Sequence, residues 1–259
     1  MLSVLAGDHC HYPAIPAPAS VTLVQFPTHE CPYFPQRVAT YRGFSASHIA
    51  GSAYHDFMNA GFRRSGKLVY QPVCSGCREC RQIRVPTAAF DYSKSQRRAW
   101  NKNEHHVAVT VGTPEFSDEK FELYRKYVNQ WHGNHDISEY SKEAFIEFLH
   151  SSPVGTVEFV YRDKATKQLL GVGICDACER SISSVYFYFD PEQSARSLGT
   201  FSALVEIETA HTRNIPYWYP GYWVNNCKTM AYKIAFRPCE ILGLDGIWRP
   251  LMDDPQIAG

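Results

Sequence analysis

Ser181-Ile182-Ser183-Ser184-Val185-Tyr186-Phe187-Tyr188-Phe189 reads as a strand, and Arg196-Ser197-Leu198-Gly199-Thr200-Phe201 follows it and opens a helix. That helix spans residues 198–212, with Leu204, Val205 and Ile207 among its apolar positions. Two further strands precede it, over 154–161 and 168–176, joined by the polar turn 162–167. Before them come two helices. Ser117 caps the first, with Asp118 and Glu119 in its opening turn and Phe121, Tyr124, Val128 and Trp131 on one face. Ser141 caps the second, with Phe145, Phe148 and Leu149 inward. Downstream, 217–223 is a strand broken by Pro220-Gly221, 228–236 a last helix and 239–242 a last strand. Two helices, three antiparallel strands, then helix, strand, helix and strand predict an α+β fold.

Gly112-Thr113-Pro114 is the best domain boundary, separating a domain over 29–112 from one over 113–250. In the first, 36–44 reads as a strand, 47–59 as a helix closed by Gly61, and 67–73 and 83–85 as strands. Ser93 with Gln96 makes a capping box, and Val107, Val109 and Val111 mark one face of a strand over 105–111. Residues 1–28, with four prolines, read as a loosely ordered arm, and 251–259 as a tail.

The 259 residues carry 26 basic and 26 acidic side chains, a formal net charge of zero. This excludes a polybasic protein and an acidic-tail protein, but not a localised nucleic-acid surface. Phe62 to Glu104 holds ten basic and three acidic residues, so this band is +7 and the remainder −7. Arg-rich segments match phosphate oxygens; the plainer reading is a solvated face with local ion pairs. No apolar run approaches a membrane span, and the opening 1–6 is too short for a signal peptide. Nine cysteines, several close together, fit a reducing cytosol better than a disulfide scaffold. HExxH, Walker A, GxSxG and GxGxxG patterns are absent, which removes the usual sequence support for zinc proteolysis, P-loop hydrolysis and dinucleotide redox chemistry.

Cys74-Ser75-Gly76-Cys77-Arg78-Glu79-Cys80 places three thiols at spacings that let thiolates converge on a zinc ion or Fe–S cluster, with Cys31 or His29 as a distant fourth ligand. The plainer reading is free thiols beside arginines. Cys175 and Cys178 face opposite sides if their stretch is a strand. Gly61 to Tyr70, with Arg63, Arg64 and Lys67, makes a loop able to hold an anion, or else a solvated hairpin tip. Lys94, Arg97, Arg98 and Lys102 follow the capped start at Ser93, suiting phosphate or simply a surface helix. Pro216 to Trp223 is dense in aromatics that want polar partners, and favours a pocket over core filler.

The element order resembles that of N-acetyltransferase (GNAT) folds. Arg196 and Gly199 fit the R/Q-x-x-G-x-G/A loop that binds CoA pyrophosphate there, but Phe201 replaces its small residue. Taken with Cys31-Pro32-Tyr33, Gly61 to Gly66, Tyr70 to Cys74, Cys77 to Val85, Ser93 to Arg98, Ser183 to Tyr186, Asp190-Pro191, Ser197 to Thr200, Gly221-Tyr222 and the K-x-M-x-Y-K set Lys228, Met230, Tyr232 and Lys233, the chain resembles the aminoacyl-tRNA–protein transferases of the N-degron pathway, nearest their bacterial leucyl-transferring branch. Pro220 departs from the Leu usual in that family.

The resemblance covers about residues 29 to 250 and implies a two-lobed cytoplasmic enzyme with a GNAT-like C-terminal lobe. Such an enzyme moves leucine from leucyl-tRNA to the N-terminal Asp or Glu of proteins, marking them for degradation, with no cofactor required and no membrane partner. On that reading Tyr186, Tyr188, Tyr219 and Tyr222 are candidate oxyanion donors and Asp190 a proton acceptor. Arg63, Arg64, Lys67 or Arg84 meets the acidic acceptor. Lys94, Arg97, Arg98, Lys102, Lys228 and Lys233 meet tRNA, and Cys31, Cys74, Cys77 and Cys80 are the metal candidates. The competing readings are an arginyl-transferring relative, a CoA-dependent N-acetyltransferase, and an RNA-binding module with a structural metal.

Overall fold

The computed structural model describes residues 20–132, 141–255 and 257. Most of the arm expected over 1–28, including Cys10, lies outside the described residues. The elements in chain order are β1 (Val24–Gln25), β2 (His29–Glu30), β3 (Val38–Ala39), β4 (Tyr41–Ser45), α1 (Gly51–Asn59), β5 (Arg63–Ser65), β6 (Leu68–Pro72), β7 (Arg81–Pro86), α2 (Lys94–Asn103) and β8 (Val107–Gly112). They continue as α3 (Asp118–His132), α4 (Lys142–Leu149), β9 (Thr156–Asp163), β10 (Leu169–Cys178), β11 (Ser181–Phe189), α5 (Leu198–Thr212), β12 (Tyr217–Trp223), α6 (Lys228–Ala231), β13 (Glu240–Leu242) and β14 (Trp248–Pro250).

One eight-stranded sheet, ordered β14-β13-β7-β12-β11-β10-β9-β8, organises the molecule. Its pairs are antiparallel except β11 with β12. Strand β10 is buried along most of its length, as its central place with both faces covered requires. Strand alternation sorts the two faces. Tyr188 points to Tyr124 of α3 and Phe145 of α4, and Asp176 on the same face meets Tyr54 of α1. Tyr161 and Phe187 point the other way, towards Phe201 of α5, where α2 packs through Trp100.

A smaller sheet, β1-β4-β6-β5, lies with α1 over the first face. Ile49, Tyr54, Phe57, Met58, Phe62 and Val69 form its own core and meet Tyr219 of the large sheet. Strands β7 and β8, from the segment 29–112, belong to the large sheet. The expected boundary at 112/113 therefore falls within one continuous sheet, because β7 fills the place between β12 and β13. The expected tail from 251 is also tied in: Asp254 is buried and takes a 2.6 Å ion pair from Arg81.

Capping agrees with the sequence reading. Ser93 and Gln96 close the capping box of α2, and the Ser141 side chain accepts from Ala144 N at α4. Arg64 docks the small sheet on the large one. Its Nε and Nη2 donate to the two Asp176 oxygens at 2.7 Å each, with both side chains fully buried. The Tyr54 hydroxyl and Thr156 Oγ1 also donate to that carboxylate at 2.7 Å.

Removing one partner of such a pair leaves the other charge buried. Arg64→Met is expected to destabilise the fold by about 3–5 kcal/mol in urea unfolding, whereas a surface arginine such as Arg98 is expected to be near neutral. Equal effects would contradict this role.

Candidate active site

Strands β11 and β12 register over three pairs only, from Ser181↔Tyr217 to Ser183↔Tyr219. Beyond them β12 follows β7, after a register shift between Trp218 and Gly221. Strand β11 follows β10, with its own shift opposite Ile174 and Cys175 that leaves Val185 unregistered. The two parallel strands thus part like a fork. Their backbone groups lose each other as partners, and buried ones must find replacements.

Arg63 enters the fork from the small-sheet face. Its Nη1 donates to Ser183 Oγ at 2.6 Å and its Nη2 to the Ser184 carbonyl. Lys233, from the turn after α6, donates from Nζ to the Tyr222 carbonyl at 3.0 Å. The two cations flank Gly221, where an added Cβ would lie 3.2 Å from both Arg63 Nη2 and Lys233 Nζ. Gly221 also sits at φ +97°, so the break foreseen at Pro220-Gly221 is a position only glycine fills without strain. Arg63 and Lys233 are 8% and 7% exposed, and neither has a carboxylate partner among the described residues. Burial, reinforced by the Arg63 charge, draws the Lys233 ammonium down to about 7.

Glu206 of α5 approaches from the opposite face. It accepts from Trp218 Nε1 at 2.8 Å and from Ser202 Oγ at 3.2 Å. Ser184 and Cys175 also bond to it, while complete burial raises its pKa. Ser184 therefore joins Arg63 through its carbonyl and Glu206 through its side chain.

The sequence-derived candidates divide accordingly. Arg63 is in the fork. Arg64 is not, because Asp176 and the Gly66 carbonyl take its guanidinium. Lys67 is exposed on the β5–β6 turn. Arg84 is held by Glu240 at 2.6 Å and Asn59 Oδ1 at 2.7 Å, between the rings of Tyr217 and Trp248. The five proposed catalytic residues do not meet. Tyr186 and Tyr188 belong to the aromatic cluster under α3 and α4. Asp190, the expected proton acceptor, caps the 3₁₀ turn Pro191–Arg196 and pairs with Lys126 at 2.7 Å. The Tyr219 hydroxyl donates to Asn59 Oδ1 at 2.6 Å, and that of Tyr222 to the Gly61 carbonyl at 2.8 Å. Both lie on the small-sheet face; Tyr222 reaches the fork through its carbonyl.

Lys94, Arg97, Arg98 and Lys102 are exposed on α2, and Lys228 is exposed on α6. Arg97 pairs with Asp91 at 2.8 Å, and Lys102 donates to the Ala195 carbonyl. Lys233, expected on the same nucleic-acid face, is instead buried, which corrects that assignment. Arg196 of the CoA-like loop pairs with Asp163 at 2.8 Å, and Phe201 is core against Trp100 and Tyr161.

Cys31, Cys74, Cys77 and Cys80 are free, half-buried thiols close enough for the other three to raise Cys80, behind desolvation. Cys74 Sγ faces the backbone of Thr40, accepting from its N–H and donating to its carbonyl. No three His, Cys, Asp or Glu side chains converge as a metal site among the described residues. Cys175 and Cys178 lie on opposite faces, one at Glu206 and the other 3.0 Å from Ser181 Oγ. Sequence reasoning missed Glu206; its signal was a carboxylate four residues after Ser202 on a helix with buried neighbours.

Known proteins resemble the chain along most of its length. The family model for the N terminus of arginine-tRNA-protein transferase matches residues 29–98, and that for the C terminus matches 119–243. An aspartate/glutamate leucyltransferase of Nitrosococcus oceani is 38% identical over 216 residues, 83% of this chain and 90% of the relative. One from Acinetobacter baumannii is 36% identical over 227 residues, 87% and 82% of the two chains. Among solved structures, L-PGS from Bacillus licheniformis is 14% identical, with a TM-score of 0.44 over 67% of this chain and 49% of that one.

The buried lysine has a thermodynamic signature. Its ordinary value is 10.5 and its folded value about 7. Between these the unfolded chain holds a proton that the folded site has released, so stability rises with pH across that window. Urea unfolding at pH 7, 8.5 and 10 is expected to show this rise, and Lys233→Met to flatten it. An unchanged slope in the variant would contradict the buried placement.

Proposed function

The chain belongs to the arginine-tRNA-protein transferase family, and on that premise we propose that it transfers leucine from leucyl-tRNA to the N-terminal Asp or Glu of cytoplasmic proteins, marking them for degradation. The leucyl donor and acidic acceptor are supported by the names of relatives 36–38% identical over most of both chains. The observation that carries the acceptor side is the pair of buried cations, Arg63 and Lys233, with no carboxylate of the described protein between them. An isolated buried charge is costly. An acidic side chain entering the fork supplies the missing counter-charge and fixes Lys233 in its charged form.

The reaction is aminolysis of an ester. The acceptor's α-amine, with an ordinary pKa of about 7.7–8.0, attacks in its neutral form at the leucyl carbonyl. The new C–N bond forms as the ribose oxygen leaves with the electron pair; the amine loses a proton and the oxygen gains one. Positioning supplies much of the acceleration. On this reading the Val185 N–H, at the register shift in β11, is the donor to the oxyanion. Ser184, between Arg63 and Glu206, sets the geometry of that edge. The tRNA lies along the exposed cations of α2, Lys94, Arg97, Arg98 and Lys102, with Lys228 nearby in sequence to the fork lysine. No step in this scheme requires the cysteines.

Against a CoA-dependent acetyltransferase stand the commitment of Arg196 to Asp163 and of Phe201 to the core. A non-catalytic RNA module leaves the two fork cations without a use. No helix among the described residues is long and apolar enough to cross a membrane.

Labelled leucyl-tRNA and arginyl-tRNA offered with peptides beginning Asp, Glu, Asn, Lys or Arg test the reading. Leucine is expected on Asp and Glu only. Arg63→Met is expected to lower kcat/KM for acidic peptides by about 10- to 100-fold, the scale of a charged hydrogen bond. Transfer to Lys or Arg, or a variant as active as the parent, would overturn it.

A further inference from the structure

Buried glutamines in this protein are otherwise well satisfied. Gln71, 1% exposed, donates from Nε2 to the Ala60 carbonyl at 2.8 Å and accepts at Oε1 from Arg42 Nε at 2.6 Å. Gln96, 3% exposed, completes the capping box and donates to the Ala235 carbonyl. Gln82 is different. It is 2% exposed, and neither its Nε2 nor its Oε1 has a hydrogen-bond partner among the described residues. A buried amide left unpaired at both ends is costly, and a residue free to be replaced by an apolar one of similar shape would be more stable replaced.

Gln82 lines a narrow cavity of about 50 Å³ with Gly61, Cys74, Cys77, Cys80 and Tyr222. The cavity borders the fork. Tyr222 is the cross-strand partner of Gln82, and its carbonyl holds Lys233. Cross-strand partners sit about 5 Å apart, a reach of one to two residues of extended chain at about 3.3 Å each. The residues over the cavity, 73–80, form neither strand nor helix. Arg78 pins them by donating to the Cys74 and Cys77 carbonyls at 2.8 and 2.7 Å. That segment forms one wall of the cavity beside the amide.

We propose that Gln82 binds the main chain of the acceptor protein's second residue, its Oε1 accepting that residue's N–H, which belongs to the first peptide unit, and its Nε2 donating to that residue's carbonyl. The inference rests on the acidic-acceptor reading above and extends it from the side chain to the main chain. One donor and one acceptor side by side in a plane are the complement of the N–H and C=O of one residue in an extended chain, which lie on the same edge. The position follows from the fork: an acceptor whose carboxylate lies between Arg63 and Lys233 has its first peptide unit within reach of Gln82. A nucleobase could also pair with an amide edge, but base sites use flat aromatic walls. Here Tyr222 is the one aromatic ring among the lining residues. The contact explains how the enzyme distinguishes a protein N-terminus from free aspartate or glutamate, which carry the same amine and side chain but no peptide unit.

The test uses the full-length protein, leucyl-tRNA, and two acceptors, an Asp-Ala peptide and its analogue with the first amide replaced by an ester. The ester removes the N–H that Oε1 would accept. Wild-type enzyme is expected to show about a tenfold higher KM for the ester. Gln82→Met is expected to raise KM for the amide by about tenfold, to lose the amide–ester difference, and to leave KM for leucyl-tRNA unchanged. The same variant is expected to melt about 2–4 °C higher, since it removes an unpaired buried amide. A retained amide–ester difference in the variant overturns the proposal, as does a change in KM for leucyl-tRNA alone, which would assign Gln82 to the nucleic acid. Absence of leucine transfer by the wild type to either acceptor would instead count against the functional reading itself.

Discussion

Arg64 and Asp176 meet without solvent, two hydrogen bonds of 2.7 Å holding a strand of the small sheet against the centre of the large one. The rest of the site follows from that contact. Asp176 pairs across the ladder with Ser183, so fixing Arg64 on β10 delivers its neighbour Arg63 to β11 at Ser183 and Ser184. One arginine is neutralised so that the next can stay without a counter-charge. Tyr54 and Thr156 fill the remaining acceptor positions of Asp176, so the pair satisfies its own polar atoms and leaves none to compete for Arg63.

The second constraint is the parting of β11 and β12. Parallel neighbours normally share their backbone groups; here they do so for three residue pairs and then separate. The opening admits a cation from one face and a carboxylate, Glu206, from the other, both touching Ser184. Gly221 lets Arg63 and Lys233 close on the same spot. An ester aminolysis suits such a place, because it asks mainly for two reactants held in line and for donors at a developing oxyanion.

Much of this was legible in the sequence, and the reasons for the remainder are physical. The order of helices and strands from Ser117 onward could be read because periodicity and capping are local. The membership of β7 in the large sheet could not, since it depends on a long-range pairing with β12 and β13. Nor could the zero net charge be resolved fully by counting. The +7 band is real as a count, but Arg63, Arg64 and Arg81 are buried and Arg84 is held by Glu240, leaving Lys67 and the cations of α2 as its exposed part. Adjacent arginines look alike in sequence; only Asp176 distinguishes Arg64 from Arg63. Lys233 was visible as part of a signature, yet its burial was not. Tyr188 and Asp190 were chosen by residue type, and packing and capping claimed them.

Acceptor recognition depends on Arg63 and Lys233, both buried and neither paired with a carboxylate among the described residues. The direct measurement is the titration of the Lys233 side chain by NMR, with and without a saturating N-terminal Asp peptide. The free protein is expected to titrate near 7, and the bound protein well above that value, since a carboxylate beside the amine favours its charged form. A Lys233 titration unmoved by the bound peptide would contradict the account.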